Sequence, residues 1–271
     1  MSHSAGPESI VPLPGGLCLP DGTRLGVARL RHLTGCEEEW LAEHRDAPLP
    51  VAVTRLLSAA LVGLDDVSPT PALVQALLVG DRDFLMLRLR EMTFGTRLSA
   101  IVECPGCRSR MDVDLETADI PFERREQTAP VYSLELNGRT VRFRLPSGAD
   151  QEAVAQADQP IEALWSRCLL HDSGRALSAG ERATVVEQMD RLSPQVDVEL
   201  DLTCPECAMR FPLPFDVSSF FVNEMRISGK SLLREVHSLA ACYHWTEADI
   251  LGLRRDRRRA YLALLSDSLQ Q

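Results

Sequence analysis

Four of the eight cysteines form two copies of the pattern Cys-Pro-x-Cys and could together hold a metal ion. Cys104 and Cys107 make the first pair, and Cys204 and Cys207 make the second. Apolar and polar residues alternate before and after each pair, which predicts a β-hairpin with two thiols at its tip. Two such tips brought together supply four thiolates, a common tetrahedral ligand set for structural zinc. We therefore predict that these four cysteines bind one structural Zn²⁺ ion.

The two pairs also allow three other interpretations, namely a redox dithiol, an iron–sulfur cluster and cysteines without any metal. A redox pair is activated at the N-terminus of a helix, but strand-like sequence follows both pairs, at residues 109–115 and 208–214. The pattern therefore favours zinc. The other cysteines lack a matching second pair of metal ligands and are predicted to pack in the core as small apolar residues. These are Cys18, Cys36, Cys168 and Cys242.

The two cysteine pairs are far apart in the sequence. Between Cys107 and Cys204 lie 96 residues, whereas compact four-cysteine modules have about 12 to 20. The β module must therefore carry a large insertion, which costs little because the entropy of loop closure grows only with the logarithm of length. We predict a zinc-ribbon-like module made of residues 97–115 and 196–215, with residues 116–195 as the insert.

The N-terminal part, residues 17–96, is predicted to be mainly helical. It follows residues 1–16, which are rich in Ser, Pro and Gly and are predicted to be a loose segment. Apolar residues at three- and four-residue spacing predict a helix over residues 50–64. Capping residues then predict a helix that starts at Thr70-Pro71 and runs to about residue 79, where Gly80 ends it. They also predict a helix over residues 82–92, which Asp81 caps and Gly95 closes.

The insert is predicted to combine a β-hairpin with helices. Asn137-Gly138, a strong signal for a tight turn, lies between two alternating segments. The C-terminal part, residues 216–271, is predicted to be helical from its apolar spacing. Together these elements predict an α+β fold. Helical N- and C-terminal parts surround a small antiparallel four-cysteine β module, which carries an inserted mixed subdomain.

Composition argues against several classes of function. Hydrophobic residues make up 45% and charged residues 25%, as in ordinary globular proteins. The net charge of −10 and the 5% aromatic content argue against nucleic acid, because polyanions are repelled and few rings can stack on bases. No apolar run approaches the roughly 20 residues that cross a membrane. No secretory signal pattern opens the sequence, so a cytoplasmic protein is predicted.

Motifs typical of enzymes are also absent from the sequence. It has no phosphate-binding loop, no dinucleotide glycine fingerprint, no His-Glu-x-x-His and no nucleophile elbow. Four cysteine ligands around zinc would leave no open position for a substrate. We therefore predict a protein that is not an enzyme and has no small-molecule substrate.

Several segments together resemble one protein family. They are Gly80-Asp81-Arg82 with its helix, both cysteine pairs, Phe220-Phe221, Glu224 and Tyr243-His244-Trp245. Over about residues 25–265 the chain resembles the baseplate proteins of contractile phage tails related to the T-even phage baseplate hub-assembly protein, whose relatives occur in phage-derived injection systems. The resemblance implies a non-enzymatic role in building the hub through contacts with other baseplate, hub or spike proteins. Both a transient assembly chaperone and a subunit retained in the tail particle fit it.

Two features of the C-terminal part are predicted to contact partners. Residues 254–259 contain five arginines and one aspartate, and a solvated or intramolecular placement and contact with nucleic acid are the alternatives. The resemblance further implies a docking or packing role for the aromatic segment Tyr243-His244-Trp245, which precedes these arginines in the sequence. The predicted partner-binding residues are Arg254, Arg255, Arg257, Arg258, Arg259, Tyr243, His244 and Trp245.

The cysteines alone also allow other functions. A zinc-ribbon protein that binds nucleic acid or regulates another process is the main alternative to the baseplate role. A thiol oxidoreductase is a third interpretation, which depends on the cysteine pairs being free of metal.

Overall fold

The computed structural model describes residues 8–122, 129–170, 176–194 and 198–269. Helices and small antiparallel sheets are mixed along these residues, so the predicted α+β class is confirmed at that level. No helix in the described part of the chain combines the length and the apolar character that a membrane crossing requires.

The first sheet contains three antiparallel strands in the order β1-β2-β3. They are β1 (Ser9–Cys18), β2 (Arg24–Leu30) and β3 (Leu61–Leu64). The prediction of a loose segment over residues 1–16 is wrong from Ser9 onward, because apolar side chains of β1, such as Val11 and Leu13, are buried in the main core. Residues 1–7 lie outside the described part.

Four helices pack with this sheet around the main hydrophobic core. They are α1 (Gly35–Glu43), α2 (Leu49–Ala60), α3 (Pro71–Ala76) and α4 (Val79–Phe94). Thr70 caps α3 as predicted, because its hydroxyl accepts a hydrogen bond from the Leu73 amide at 3.3 Å. Gly95 ends α4 as predicted and has a positive φ of 90°, which glycine adopts readily.

The boundaries of these helices differ from the predictions at three places. The helix predicted over residues 50–64 ends at Ala60, because the next four residues pair with β2 as strand β3. Helix α3 ends at Ala76 rather than near residue 79. Helix α4 begins at Val79, so Gly80 and Asp81 lie inside its first turn instead of separating two helices.

Three further small antiparallel sheets follow along the chain. They contain β4 (Arg97–Glu103) with β5 (Arg110–Glu116), then β6 (Tyr132–Leu136) with β7 (Arg139–Phe143) and β8 (Leu169–Leu170), and finally β9 (Val198–Thr203) with β10 (Arg210–Phe215). The first and last of these sheets are the two hairpins that carry the cysteine pairs. A short 3₁₀ helix, Thr117–Asp119, follows β5.

The insert between the cysteine pairs has its own small hydrophobic cluster. It contains helices α5 (Gly148–Val154), α6 (Pro160–Cys168) and α7 (Ala179–Leu192). Asn137 and Gly138 join β6 to β7 with φ values of 51° and 78°, so the predicted tight turn is confirmed. Val141, Phe143 and Val185 form the cluster, which is separate from the main core. Helix α5 packs against α2 and α3 and so connects the insert to the N-terminal part.

The C-terminal helices belong to two different hydrophobic clusters. They are α8 (Val217–Gly229), α9 (Leu232–Tyr243), α10 (Glu247–Leu251) and α11 (Arg255–Leu269). Phe221 and Met225 place α8 in the main core. Leu239 and Ile250 belong to a smaller cluster built by α9, α10 and α11.

Candidate metal centre

The two Cys-Pro-x-Cys segments have the same backbone conformation at the tips of their hairpins. In the first, the Cys104 amide donates to the Ser109 carbonyl and the Arg108 amide donates to the Cys104 carbonyl, both at 2.9 Å. The amides of Cys204 and Ala208 make the equivalent bonds at the same length. The residue after each pair has a positive φ, 60° and 57° respectively. We call these segments the first knuckle, residues 104–109, and the second knuckle, residues 204–209.

The two knuckles meet, and their four sulfur atoms lie within 4.8 Å of one another. The Sγ–Sγ distance is 3.7 Å between Cys104 and Cys207 and 3.6 Å between Cys107 and Cys204. A disulfide requires about 2.05 Å between the sulfurs, so neither pair is bonded. Sulfurs about 2.3 Å from a tetrahedral zinc ion lie about 3.8 Å from one another, close to both distances. The four cysteines could therefore bind a metal ion.

The cluster lies between a small apolar layer and solvent. Cys104 and Cys204 are buried, and Cys107 and Cys207 are exposed. Phe211 of β10 is buried beside the inner cysteines, and Val102, Met111 and Leu202 pack around them. The apolar layer shields two of the sulfurs from water, while the hairpin tips leave the other two accessible.

The four thiols are crowded together, and as a result their pKa values differ. The Ser109 hydroxyl, together with backbone amides of the second knuckle, lowers the pKa of Cys204 to about 6. The Met209 amide lowers the pKa of Cys207, but the Cys107 sulfur, desolvation and the remaining sulfurs have the larger effect and raise it to about 12. Neighbouring thiolates repel one another, so four of them need a cation to coexist. A bound divalent metal would supply that charge.

The strands after each pair limit what the thiols can do without a metal. Strand β5 follows the first knuckle, and strand β10 follows the second. Neither pair lies at the N-terminus of a helix, which is the position that activates the first cysteine of a redox dithiol. The arrangement therefore favours metal binding over dithiol chemistry.

The remaining cysteines agree with the prediction of core residues only in part. Cys168 is buried, and desolvation raises the pKa of its thiol to about 11. Cys18 is half-buried. Cys36 and Cys242 are exposed on α1 and α9, so the prediction is wrong for these two. A single cysteine on a helix surface has no signal in the sequence that distinguishes it from a buried one.

The arginine run is divided between buried and exposed side chains. Arg255 and Arg258 are buried and bind carboxylates of the same chain, so the structure gives these two the intramolecular placement that was the alternative to partner binding. Arg255 Nη1 lies 3.1 Å from Glu38, and Arg258 lies 2.5 Å from Glu38 and 3.1 Å from Glu235. These carboxylates compensate the buried guanidinium groups, which would otherwise be costly. The carboxylate of α1 is far from the run in sequence, so spacing could not reveal it.

The rest of the run is accessible. Arg257 and Arg259 are exposed, and the Arg257 guanidinium lies 5.4 Å from the centre of the Tyr261 ring. Arg254 is half-buried and pairs with Asp256 at 3.1 Å. Contact of these three arginines with a partner stays a prediction.

The aromatic segment at the end of α9 packs against α11. The rings of Tyr243 and Trp245 stack with their centres 4.9 Å apart, and both meet Tyr261 of α11. His244 is exposed and ends α9 in the left-handed conformation, with φ of 57°. Two of the three side chains therefore have a packing role, and docking to a partner stays a prediction for all three.

Sequence reasoning missed one polar residue at the sulfur cluster. The Ser109 hydroxyl oxygen lies 3.0 Å from Cys107 Sγ and 3.3 Å from Cys204 Sγ. Its position two residues after the first pair was the available signal. The position matters because the knuckle conformation turns the Ser109 side chain back toward the sulfur atoms.

Comparison with known families gives one result. The family model for T4 bacteriophage base plate protein matches residues 17–171, which is more than half of the chain. The chain belongs to this family. No curated protein and no solved structure matches in the corresponding comparisons.

The match covers this base plate protein unevenly. It includes strands β2 and β3 of the first sheet, helices α1 to α6 and the first knuckle, but only the last two residues of β1, and it ends before the second knuckle. The membership supports a structural role in a phage base plate and interaction with other tail proteins. The metal centre, in contrast, rests on the geometry of the four cysteines.

Proposed function

We propose that this chain is a non-enzymatic component of the hub of a phage-like tail base plate, and that structural zinc joins its two knuckles. The family match over residues 17–171 carries the first part of the proposal. The close approach of four sulfur atoms carries the second part. The proposal covers a phage tail and a phage-derived injection system alike.

Zinc fits the donor set at the knuckles. Four soft thiolates suit zinc or iron–sulfur chemistry, whereas magnesium and calcium prefer oxygen ligands. Four protein ligands fill a tetrahedron and leave no position for a substrate, so the ion would be structural. When bound, it would neutralise the thiolates and link two hairpins that are distant in sequence. Elemental analysis of the purified chain should find one zinc ion per chain.

The partner surface that we propose lies on the C-terminal helices. Residues 230–271 carry seven basic and five acidic side chains, a net charge of +2 in a chain whose total is −10. Lys230, Arg234, Arg257 and Arg259 are exposed, and none of them has an ion pair within the described part of the chain. Interfaces use such charge to select an oppositely charged partner. An acidic surface of another tail protein fits best.

Exposed apolar side chains on the same helices support this surface. Ile227, near the end of α8, is 66% exposed, and Leu233, at the start of α9, is 73% exposed. Leu233 is adjacent in sequence to the exposed Arg234. Large aliphatic side chains with basic neighbours are typical of interfaces that combine apolar contact with a charged rim.

Charge reversal on α11 tests the partner surface. The double variant Arg257→Glu with Arg259→Glu should reduce co-purification with co-expressed base plate, hub and spike proteins by about tenfold or more, because like charges then face an acidic partner. Both side chains are exposed, so the melting temperature should stay within about 2 °C of the wild type.

A matched double variant keeps the same change in net charge. Arg24 and Arg110 are also exposed arginines, and they belong to β2 and β5 instead of the C-terminal helices. Arg24→Glu with Arg110→Glu should leave co-purification unchanged. Equal losses in the two double variants, or no loss in either, would contradict the proposed surface.

The role of the chain in assembly has two forms, and the particle itself separates them. A retained subunit would be found in purified tails at a fixed ratio to the other base plate proteins. A transient chaperone would be bound to the hub before assembly and be absent from finished tails. Quantitative mass spectrometry of both fractions distinguishes the two forms.

The alternative of a nucleic-acid-binding zinc ribbon conflicts with the charge of the hairpins. Many side chains on their exposed faces are acidic and would repel phosphate groups. These are Asp112, Asp114, Glu116, Glu199 and Asp201. Tight binding of DNA or RNA with a steep salt dependence would be the result that favours this alternative.

A further inference from the structure

Ser109 contacts one sulfur from each knuckle. Its hydroxyl oxygen lies 3.0 Å from Cys107 Sγ, in its own knuckle, and 3.3 Å from Cys204 Sγ, in the other. Both distances are within reach of a hydrogen bond from a hydroxyl to sulfur. The side chain therefore lies across the junction of the two hairpins at the sulfur cluster.

We propose that Ser109 is a positioning residue that retains the metal ion by donating its hydroxyl hydrogen to the thiolates of Cys204 and Cys107. This inference rests on the proposed function, because it requires the four cysteines to bind a metal. A coordinated thiolate keeps negative charge and lone pairs, and a donor that faces them orients the ligand and stabilises that charge. The hydroxyl has one hydrogen, which one sulfur receives at a time or both share.

The second knuckle lacks this donor. Met209 occupies the position equivalent to Ser109, and a thioether has no hydrogen to donate. The Met209 side chain instead lies over Gly106, where an added Cβ would be only 2.6 Å from its Sδ. A hydroxyl therefore lies at the Cys107–Cys204 contact, and a thioether lies above the tip of the first knuckle.

This asymmetry assigns the role to the Ser109 side chain and not to the knuckle backbone. The backbone hydrogen bonds are the same in both knuckles, so they act equally on the two pairs. The hydroxyl is an additional donor at one contact, and it joins residues whose positions differ by 95 in the sequence. Its removal should loosen that contact while the hairpins stay paired in their own registers.

The first experiment measures metal transfer from the zinc-loaded full chain to a competing chelator. Ser109→Ala should transfer zinc about tenfold faster than the wild type, since loss of such an outer partner costs about 10- to 100-fold in metal affinity. Ser109→Thr keeps the hydroxyl and should restore slow transfer.

Ser99→Ala is the matched control for this experiment. Ser99 lies on β4 of the same hairpin, and its hydroxyl donates to Asp114 instead of a sulfur. This variant removes a serine hydroxyl from the same hairpin and leaves the contacts of the four cysteine sulfurs unchanged. Its zinc transfer rate should equal that of the wild type.

The second experiment measures the absorption spectrum of the cobalt-substituted chain, which reports on the thiolate ligands. Loss of the donor leaves more electron density on the sulfurs, so the sulfur-to-cobalt charge-transfer band should move to lower energy in Ser109→Ala and not in Ser99→Ala. A residue with only a packing role would lower the melting temperature and leave this band unchanged.

Each outcome gives a decision. Faster zinc transfer together with a shifted band supports the proposal. A transfer rate and a band equal to those of the wild type overturn it and leave the zinc site intact, and a change in melting temperature alone also overturns it. A wild-type chain that binds no metal overturns the zinc site and this inference together.

Discussion

At the scale of single residues, buried charge in the Gly80-Asp81-Arg82 segment connects elements that are separate in the sequence. The Arg82 side chain is buried, and its guanidinium donates to the Pro50 and Val74 carbonyls at 3.0 and 3.2 Å and to the Thr54 hydroxyl at 2.9 Å. These bonds link α2, α3 and α4. The planar guanidinium group of arginine can donate to all three acceptors at once, whereas the single ammonium group of a lysine could not make the same set of bonds.

Gly80 is required in this segment by close packing. A Cβ at Gly80 would lie 1.8 Å from the Pro194 carbonyl oxygen, far inside contact distance. Any larger residue would have to push the segment after α7 away from α4. Close packing at Gly80 and the hydrogen bonds of Arg82 therefore explain why the Gly80-Asp81-Arg82 segment, which is part of the family resemblance, has these residues.

Asp81 predicts a specific dependence of stability on pH. Burial raises the pKa of its carboxyl from 3.8 to about 7, although the amides of Gly15 and Gly16 lower it. The folded chain therefore keeps a proton that the unfolded chain releases between about pH 4 and pH 7, so the free energy of unfolding falls as pH rises through that window. Asp81→Asn should remove this loss, which amounts to at most about 4 kcal/mol.

Urea unfolding at about pH 5 and about pH 8 measures this effect. The introduced amide keeps an oxygen for the Gly15 amide, which donates to Asp81 at 2.7 Å. The difference in unfolding free energy between the two pH values should shrink in Asp81→Asn relative to the wild type. Asp66 is exposed, so Asp66→Asn should leave the difference unchanged. The prediction is wrong if the two variants behave alike.

At the scale of elements, sequence reasoning succeeded where the signal is local chemistry. Asn137-Gly138 makes its turn because these residues tolerate positive φ, and Thr70 caps α3 through its own hydroxyl. The two cysteine pairs belong to the same class, since each knuckle is closed by bonds within six residues. Their approach across the insert followed from counting ligands, because two thiols alone do not complete a tetrahedron.

The errors at this scale arise where distant parts of the chain decide the structure. Leu61–Leu64 continues the apolar run of α2, but pairing with β2 makes it a strand. Strand β1 forms in a stretch rich in Pro and Gly because the same sheet and the core of helices bury its apolar side chains. The helices that bury β1 and the strand that pairs with Leu61–Leu64 lie outside a local window, and tertiary packing overrides local preference in both cases.

The paired hairpins give a prediction about the metal. Cys104→Ser and Cys207→Ser should each lose the bound zinc and lower the free energy of unfolding by on the order of 5 kcal/mol, since structural zinc contributes about 10 to 16 kcal/mol of binding in small zinc peptides. Elemental analysis and thermal unfolding measure the two effects. Cys242 is exposed on α9, so Cys242→Ser should change neither.

Two results would contradict the shared site. One is a Cys104→Ser or Cys207→Ser chain that keeps one zinc per chain and its melting temperature. The other is a chelator that removes zinc from the wild type without any loss of stability. In the second case the two hairpins would be held by the apolar cluster that contains Phe211, Val102 and Met111.

At the scale of the whole molecule, buried ion pairs attach the last helices to the rest of the chain. Helices α9, α10 and α11 have their own small apolar cluster, separate from the main core. Glu38 of α1 accepts hydrogen bonds from Arg255, Arg258 and Ser228, and all four side chains are buried. One carboxylate of the N-terminal part therefore holds the start of α11 and the end of α8.

Glu38→Gln should loosen this attachment. The substitution removes the negative charge that compensates two buried guanidinium groups, and breaking a buried pair in this way costs about 3 to 5 kcal/mol. The neighbouring Glu39 is the matched control, because burial and the carboxylates of Glu43 and Glu247 raise its pKa. Loss of its charge should therefore leave stability unchanged or slightly higher in Glu39→Gln.

Hydrogen exchange locates the effect within the molecule. If Glu38 acts as the attachment point, amides of α11 should exchange faster in Glu38→Gln by a larger factor than amides of α4, because the main core keeps its own contacts. An equal increase in both helices would show that the ion pairs stabilise the fold globally, and no increase in α11 would contradict the attachment. The exposed arginines proposed to contact a partner lie on α11, so a loosened α11 should also weaken capture of partner proteins. This loss should occur although Arg257 and Arg259 are unchanged, and Glu39→Gln should not reproduce it.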